Sequence, residues 1–243
     1  MIEMIIMCHY FQKRLSWMLS SILQQEGLKQ EVIFNIASMK ENGRPTTEEV
    51  IEEFRSRGIN IKHLIVDKED LAYRGMLRNK QLESATGDWI FFSDTDHVFP
   101  KTFFSELETV ISIPVNYKCC IASPYIYESN LEQTYALIES EKDIYIEDAF
   151  LKASKLSNLP SQGRKVAAGN MQVVNFNYLK KKTGGKYCIG DKSHDKHMFN
   201  GGMKTRSDVY FRDLIRPRIY HLSDQIHLNH KRYRRYKGVE EQR

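Results

Sequence analysis

Two carboxylates on alternate positions, Asp94 and Asp96, follow directly on the apolar run Trp89-Ile90-Phe91-Phe92-Ser93. A strand that ends this way sets both acids at the lip of a sheet, and open α/β folds bind their ligands beyond the carboxyl ends of the strands. Two carboxylates so spaced can hold a hard divalent cation, and such a cation usually also binds substrate phosphates. Asp and Thr are common turn residues too, so a plain turn or capping cluster is the alternative. Further on, the spacing of His227 and His230 fits one side of a helical turn, where imidazole can join carboxylate around a metal. That donor set favours a borderline ion such as Mn²⁺ over Ca²⁺. Either histidine could equally be an ordinary surface or core residue.

The elements that must position these groups are legible in the first half of the chain. Met4-Ile5-Ile6-Met7-Cys8 is apolar without alternation, as in a strand buried on both faces. Leu15, Met18, Leu19, Ile22 and Leu23 recur at helical spacing, and Gly27 is placed to end that helix. Residues 32–37 read as a second strand. Thr46 and Glu49 have capping-box spacing ahead of an apolar face of Val50, Ile51 and Phe54, with Gly58 as the stop. Residues 59–66 read as a third strand and 74–85 as a helix, ended by Gly87 before the strand that carries the acids. Pro100 suits the first turn of the next helix, whose core face is Phe103, Phe104, Leu107, Val110 and Ile111. Such alternation specifies a mostly parallel sheet with helices on both faces. The second half is less regular. Residues 118–122 read as a fifth strand, 125–165 as polar and partly helical without a clear strand, and 166–174 as a strand. Ser207-Asp208 has the character of a helix cap. Repeats, low-complexity segments and a convincing linker are absent, so a single domain is expected.

Composition narrows the classes. The chain has 243 residues, 41% hydrophobic, and a net charge of +5, which suits a folded α/β domain rather than a disordered one. The stretch Lys231-Arg232-Tyr233-Arg234-Arg235-Tyr236-Lys237 is basic with interleaved Tyr, fitting an anionic lipid, an anionic substrate, nucleic acid or simply solvent. Four cysteines without paired metal-type spacing point to a reducing, cytoplasmic setting. The N-terminal apolar run lacks a basic leader and stops at His9, unlike a signal peptide. No segment approaches the roughly 20 apolar residues of a membrane helix. A soluble protein, at most peripheral at a membrane, is expected.

The run Ile6-Met7-Cys8-His9-Tyr10, followed by Ser20-Ser21-Ile22-Leu23-Gln24-Gln25, resembles the opening of family 2 glycosyltransferases of the GT-A fold. Those enzymes begin with a strand, a turn that contacts the nucleotide, and a helix bearing Ser-Ile-Leu-x-Gln. Arg74-Gly75-Met76-Leu77-Arg78-Asn79, Ala85-Thr86-Gly87-Asp88 and Asp94-Thr95-Asp96 resemble the family's central block in the right order. The C-terminal half is similar to the galactosyl- and N-acetylgalactosaminyl-transferase branches. There Ala168-Gly169-Asn170 precedes a strand and Gly184-Gly185, and Ser207-Asp208-Val209-Tyr210-Phe211-Arg212 stands where the family has an acidic pair and a helix. His227-Leu228-Asn229-His230 stands where it closes its metal site. The likeness covers nearly the whole chain apart from residues 125–165 and the tail.

The resemblance implies a Rossmann-like α/β GT-A fold. It spans residues 1–230, with a nucleotide-sugar half (1–111), an acceptor half (112–230) and a basic tail (231–243). It implies inverting, metal-dependent transfer from a nucleotide-diphosphate sugar, a UDP-sugar first, to a hydroxyl of a glycan, lipid or protein. Nucleic acid is not the expected partner, and the tail could touch a membrane peripherally. Asp94, Asp96, His227 and His230 would hold Mn²⁺ or Mg²⁺, with Asp94 bonding the metal or the ribose. Arg74, Arg78 and Asn79 would serve the donor, the arginines by pairing with its diphosphate. Cys8 and Tyr10 would flank the base, Gly169 would let backbone approach the ligand, and Asn170 would bond sugar hydroxyls. Asp208 would be the general base, although an Asp at a helix N-terminus is stabilising without catalysis. Ser207 stands where the family often has Glu, which keeps open a GT-A-like protein that binds nucleotide sugar or glycan with little turnover. Asp94-Thr95-Asp96-His97-Val98 also matches the start of haloacid-dehalogenase-type phosphatases, with Asp94 as nucleophile. That reading leaves the first 88 residues unexplained.

Overall fold

The computed structural model describes residues 1–41, 45–71, 73–114, 120–122, 126–129, 131–155, 157–160, 171–189, 211, 214–216, 218–220, 222 and 225–228. Ile2–Met7 forms strand β1, buried at every position, as the apolar run from Met4 to Met7 requires. Helix α1 (Gln12–Leu23) follows, then β2 (Val32–Ser38), again buried throughout. Helix α2 (Thr47–Ser56) opens on the capping box expected of its sequence: Glu49 N–H donates to Thr46 Oγ1 at 3.1 Å, and Thr46 N–H to Glu49 Oε2 at 2.8 Å. Gly58, at φ 93°, follows its end. Then come β3 (Asn60–Ile65), the short α3 (Lys68–Leu71), α4 (Arg74–Glu83), β4 (Trp89–Ser93), β5 (His97–Val98) and α5 (Phe103–Ile111). The second half adds β6 (Cys120–Ala122), β7 (Ile126–Ser129), α6 (Leu131–Ser140), α7 (Ala149–Ser154), β8 (Ser157–Pro160), β9 (Met171–Asn175), α8 (Phe176–Thr183), β10 (Arg218–Ile219) and β11 (Gln225–His227).

Seven strands make the central sheet in the order β10-β6-β9-β4-β1-β2-β3, and four make a second sheet, β5-β11-β7-β8. Within the central sheet β9 runs antiparallel to β4 and β6, while the remaining pairs are parallel. The strand pleat divides the core. Met4 and Ile6 of β1 pack with Leu15, Met18, Val50, Phe54, Phe103 and Phe104 of α1, α2 and α5. Ile5, Ile90 and Phe92 face the other way, onto Leu82 of α4 and Leu179 of α8. The result is a single α/β domain with a mostly parallel central sheet and helices on both faces. Among the described residues no helix is long and apolar enough to cross a membrane.

Several boundaries differ from the sequence expectation. Helix α1 stops at Leu23, ahead of Gly27. Pro100 lies in the turn before α5, its carbonyl accepting Phe103 N–H at 3.1 Å, so it precedes the helix instead of opening it. Gly87 does not end α4, which closes at Glu83. It is needed for a close crossing, because a Cβ there would lie 2.6 Å from Glu3 Cβ. Glu3 holds a core position of β1 because its carboxylate is saturated by Thr86 N–H (2.7 Å), Gly87 N–H (3.0 Å), Asn35 Nδ2 (3.0 Å) and Lys62 Nζ (3.2 Å), the condition for burying a charge. Strands β7 and β8 occupy the stretch read as strandless. They are too short for a period to show, and β7 owes its place to pairing with the distant β11. Residues 118–119, 166–170 and 207–208 lie outside the described residues.

Candidate active site

Arg74 opens α4 and Arg78 follows one helical turn later, so both reach the end of β4. Arg74 Nη2 forms an ion pair with Asp94 Oδ1, and Arg78 Nη2 lies 3.7 Å from the same oxygen. Arg78 is not on a solvated face: its side chain is 3% exposed. Its Nη1 donates to the Tyr187 hydroxyl at 2.5 Å, and its guanidinium lies 4.6 Å from the Tyr187 ring centroid and 5.4 Å from that of Phe92. Asn79 turns to the backbone of the next segment. Its Oδ1 accepts Tyr187 N–H (2.7 Å) and Cys188 N–H (3.0 Å), and its Nδ2 donates to the Cys188 carbonyl (2.8 Å). Asn79 therefore secures a neighbouring segment, where a direct donor contact was expected.

The chain turns at Thr95, and Asp96 faces a different neighbourhood. Asp96 Oδ2 lies 3.2 Å from His227 Nε2, and Oδ1 lies 3.8 Å from His97 Nε2. His97 and His227 are register partners on β5 and β11, and Leu228 N–H donates to the Asp96 carbonyl at 2.8 Å. His227 thus stands on a strand, which corrects the helical-turn expectation. Burial drives the His97 pKa down to about 4; the Asp96 charge opposes this and His227 adds to it, so the ring is neutral near pH 7. The two acids have separate surroundings, Asp94 with arginines and Asp96 with imidazoles. Among the described residues no group of three or more His, Cys, Asp or Glu side chains converges as a metal site. The Asp96–His227 pair offers one carboxylate oxygen and one imidazole nitrogen, a donor set that fits Mn²⁺.

The turn after β1 is held from below. Tyr10 sits at φ 57°, a conformation that costs an L-residue about 1–2 kcal/mol. Its N–H donates to Glu41 Oε1 at 2.9 Å. Glu41 Oε2 accepts Gln12 Nε2 (2.6 Å) and Thr47 Oγ1 (2.7 Å), tying the turn to α1 and α2. Tyr10 packs against the hydrophobic cluster that includes Met7, Met39, Val66 and Leu77. Cys8, by contrast, is fully buried in the core, where its side chain supports the turn from inside. Beyond the ends of β2 and β3 opens a cavity of about 510 Å³ lined by Met39, Lys40, Val66, Asp67 and Lys80 among others. The sequence reading missed Glu41, Asp67, Lys80 and Tyr187. For Asp67 a signal existed: an acid directly after the third apolar run. Gly169, Asn170, Asp208 and His230 lie outside the described residues.

A model of glycosyl transferase family 2 matches residues 4–203. The chain belongs to that family. The match takes in residues 4–88, which the phosphatase reading could not explain. Among solved structures this family 2 chain is similar to TarS of S. aureus (TM-score 0.61, 14% identity, 93% of this chain and 36% of that one). It is similar also to TarS 1-349 in complex with UDP (TM-score 0.60, 14% identity, 93% and 59%). A third likeness is to the mannosyltransferase PcManGT from Pyrobaculum calidifontis in complex with GDP-Man and Mn²⁺ (TM-score 0.57, 12% identity, 95% and 57%). The family 2 chain spans between 36% and 59% of the length of these proteins. A search of curated proteins finds no match. Family membership and fold together establish a GT-A glycosyltransferase domain.

Proposed function

We propose that the protein moves a sugar from a nucleotide-diphosphate donor to an acceptor hydroxyl on a glycan, lipid or protein, with inversion at the anomeric carbon. The observation that carries this reading is the meeting of Arg74, Arg78, Asp94, Asp96 and His227 at the carboxyl end of β4. Residues 1–111 take the donor, with the nucleoside in the cavity beyond β2 and β3 beside Tyr10. Residues 112–230 shape the acceptor side, and the basic tail from 231 touches an anionic membrane peripherally.

Asp96 and His227 would hold Mn²⁺ or Mg²⁺, with His230 as a further ligand. When bound, the cation neutralises charge on the departing diphosphate. Arg74 and Arg78 supply charge-assisted donors to phosphate oxygens. Asp94 orients both guanidiniums and bonds the metal or the ribose. Asp208 takes the proton of the acceptor hydroxyl as it attacks, while Gly169 and Asn170 line the sugar. Because the structural neighbours carry UDP in one case and GDP-Man in another, the donor panel must span uridine and guanosine, with UDP-sugars first. Thermal shift with each donor, with and without Mn²⁺, tests the reading. A metal-dependent stabilisation by at least one donor, lost in Asp96→Ala, is expected. No response to any donor, with Asp96→Ala behaving like the native protein, contradicts it.

A further inference from the structure

Tyr187 belongs to none of the chemistry-bearing motifs, yet it joins three elements that build the site. The side chain is fully buried. Its ring lies 4.6 Å from Phe92 of β4 and stacks on Phe211 at 4.2 Å, 19° from parallel. Its backbone N–H is fixed independently by Asn79 on α4. Against this rigid frame rests the Arg78 guanidinium, bonded to the hydroxyl and lying over the ring.

A desolvated arginine is held by whatever its planar fork can reach. Asp94 alone does not fix Arg78, since it lies 3.7 Å away and pairs first with Arg74. A second carboxylate would hold Arg78 but cancel the charge that a phosphate needs. A phenol supplies an acceptor and a negative ring face without adding a second negative charge. We infer that Tyr187 is a positioning residue that presents Arg78 to the phosphates of the donor. The inference rests on the proposed nucleotide-sugar reading.

Tyr187→Phe keeps the ring and removes only the hydroxyl, to which Arg78 Nη1 donates. Titrated with UDP, GDP and inorganic diphosphate, the variant should bind each ligand that the native protein binds about tenfold more weakly. Phe211→Leu loosens the same aromatic cluster but spares the hydroxyl. It should lower Tm at least as far while changing those affinities by less than about twofold. A readout that needs no nucleotide is the Arg78 Nε–Hε resonance, which should shift and lose protection from exchange in Tyr187→Phe alone. An unchanged Arg78 resonance, or equal affinity losses in both variants, overturns the inference. If the native protein binds no nucleoside diphosphate, the glycosyl-transfer reading fails, and the Arg78 resonance still decides whether Tyr187 positions it.

Discussion

His97 and His227 face each other across the antiparallel pair β5–β11, with ring centroids 5.3 Å apart and the Asp96 carboxylate reaching toward both. The two imidazoles are unequal. His97 is fully buried and held neutral, whereas the His227 side chain is 18% exposed and is the nearer to Asp96. His227 is therefore the more accessible of the two rings, and His97 is the packed one.

This inequality separates two substitutions. His227→Ala should raise the Mn²⁺ concentration for half-maximal stabilisation about tenfold or more, with little loss of stability without metal. His97→Ala should cost about 1–3 kcal/mol of stability from its buried site. Metal titration and denaturant melts on both variants check this; equal metal effects would contradict it.

Asp94 is the counter-charge shared by Arg74 and Arg78. Asp94→Asn should destabilise the fold by about 1–3 kcal/mol, because a buried guanidinium loses its partner charge while part of the cluster stays wet. Arg74→Gln, on a side chain 24% exposed, should cost less than about 1 kcal/mol. Urea unfolding of the two variants measures the difference.

What the sequence revealed and what it hid have physical causes. Apart from the short α3 and β5, the order β1 to α5 was legible because each element carries its own local signal: the apolar run from Met4 to Cys8, the Thr46–Glu49 capping box, the face of Val50, Ile51 and Phe54. Arg74, Arg78, Asp94 and Asp96 could be placed near one another because they flank a single helix–strand unit. The pairing of His97 with His227 could not, since β5 and β11 are two and three residues long and meet only through tertiary structure. For the same reason Tyr187 shows no motif: its importance lies in Arg78, Phe92 and Phe211 arriving from three separate segments.

Acid pH should weaken the fold through His63. Its Nε2 lies 2.8 Å from Ser38 Oγ, and burial first, then the Arg55 charge, holds its pKa below the ordinary 6.5. The folded state favours the neutral ring, so below 6.5 the unfolded chain takes up the proton more readily and stability falls until the folded pKa is passed. Above 6.5 the group contributes no slope. His97, with its pKa near 4, adds in the same direction. Urea unfolding from pH 7.5 to about 5 should show a shallower decline for His63→Gln than for the native protein. Parallel curves would contradict the assignment.

Gly87 tests the packing of β1 against the segment before β4. With a Cβ placed 2.6 Å from Glu3 Cβ and 2.9 Å from Glu3 N, Gly87→Ala should destabilise by about 1–3 kcal/mol. A thermal melt equal to that of the native protein would show that the crossing is looser than described.

Donor hydrolysis tests the central claim most directly. Incubated with UDP- and GDP-sugars and Mn²⁺, the native protein should slowly release nucleoside diphosphate from at least one donor, faster once an acceptor is supplied, and Asp96→Ala should release none above background. Release of phosphate from simple phosphomonoesters, abolished by Asp94→Ala and accompanied by no turnover of any nucleotide sugar, would contradict it.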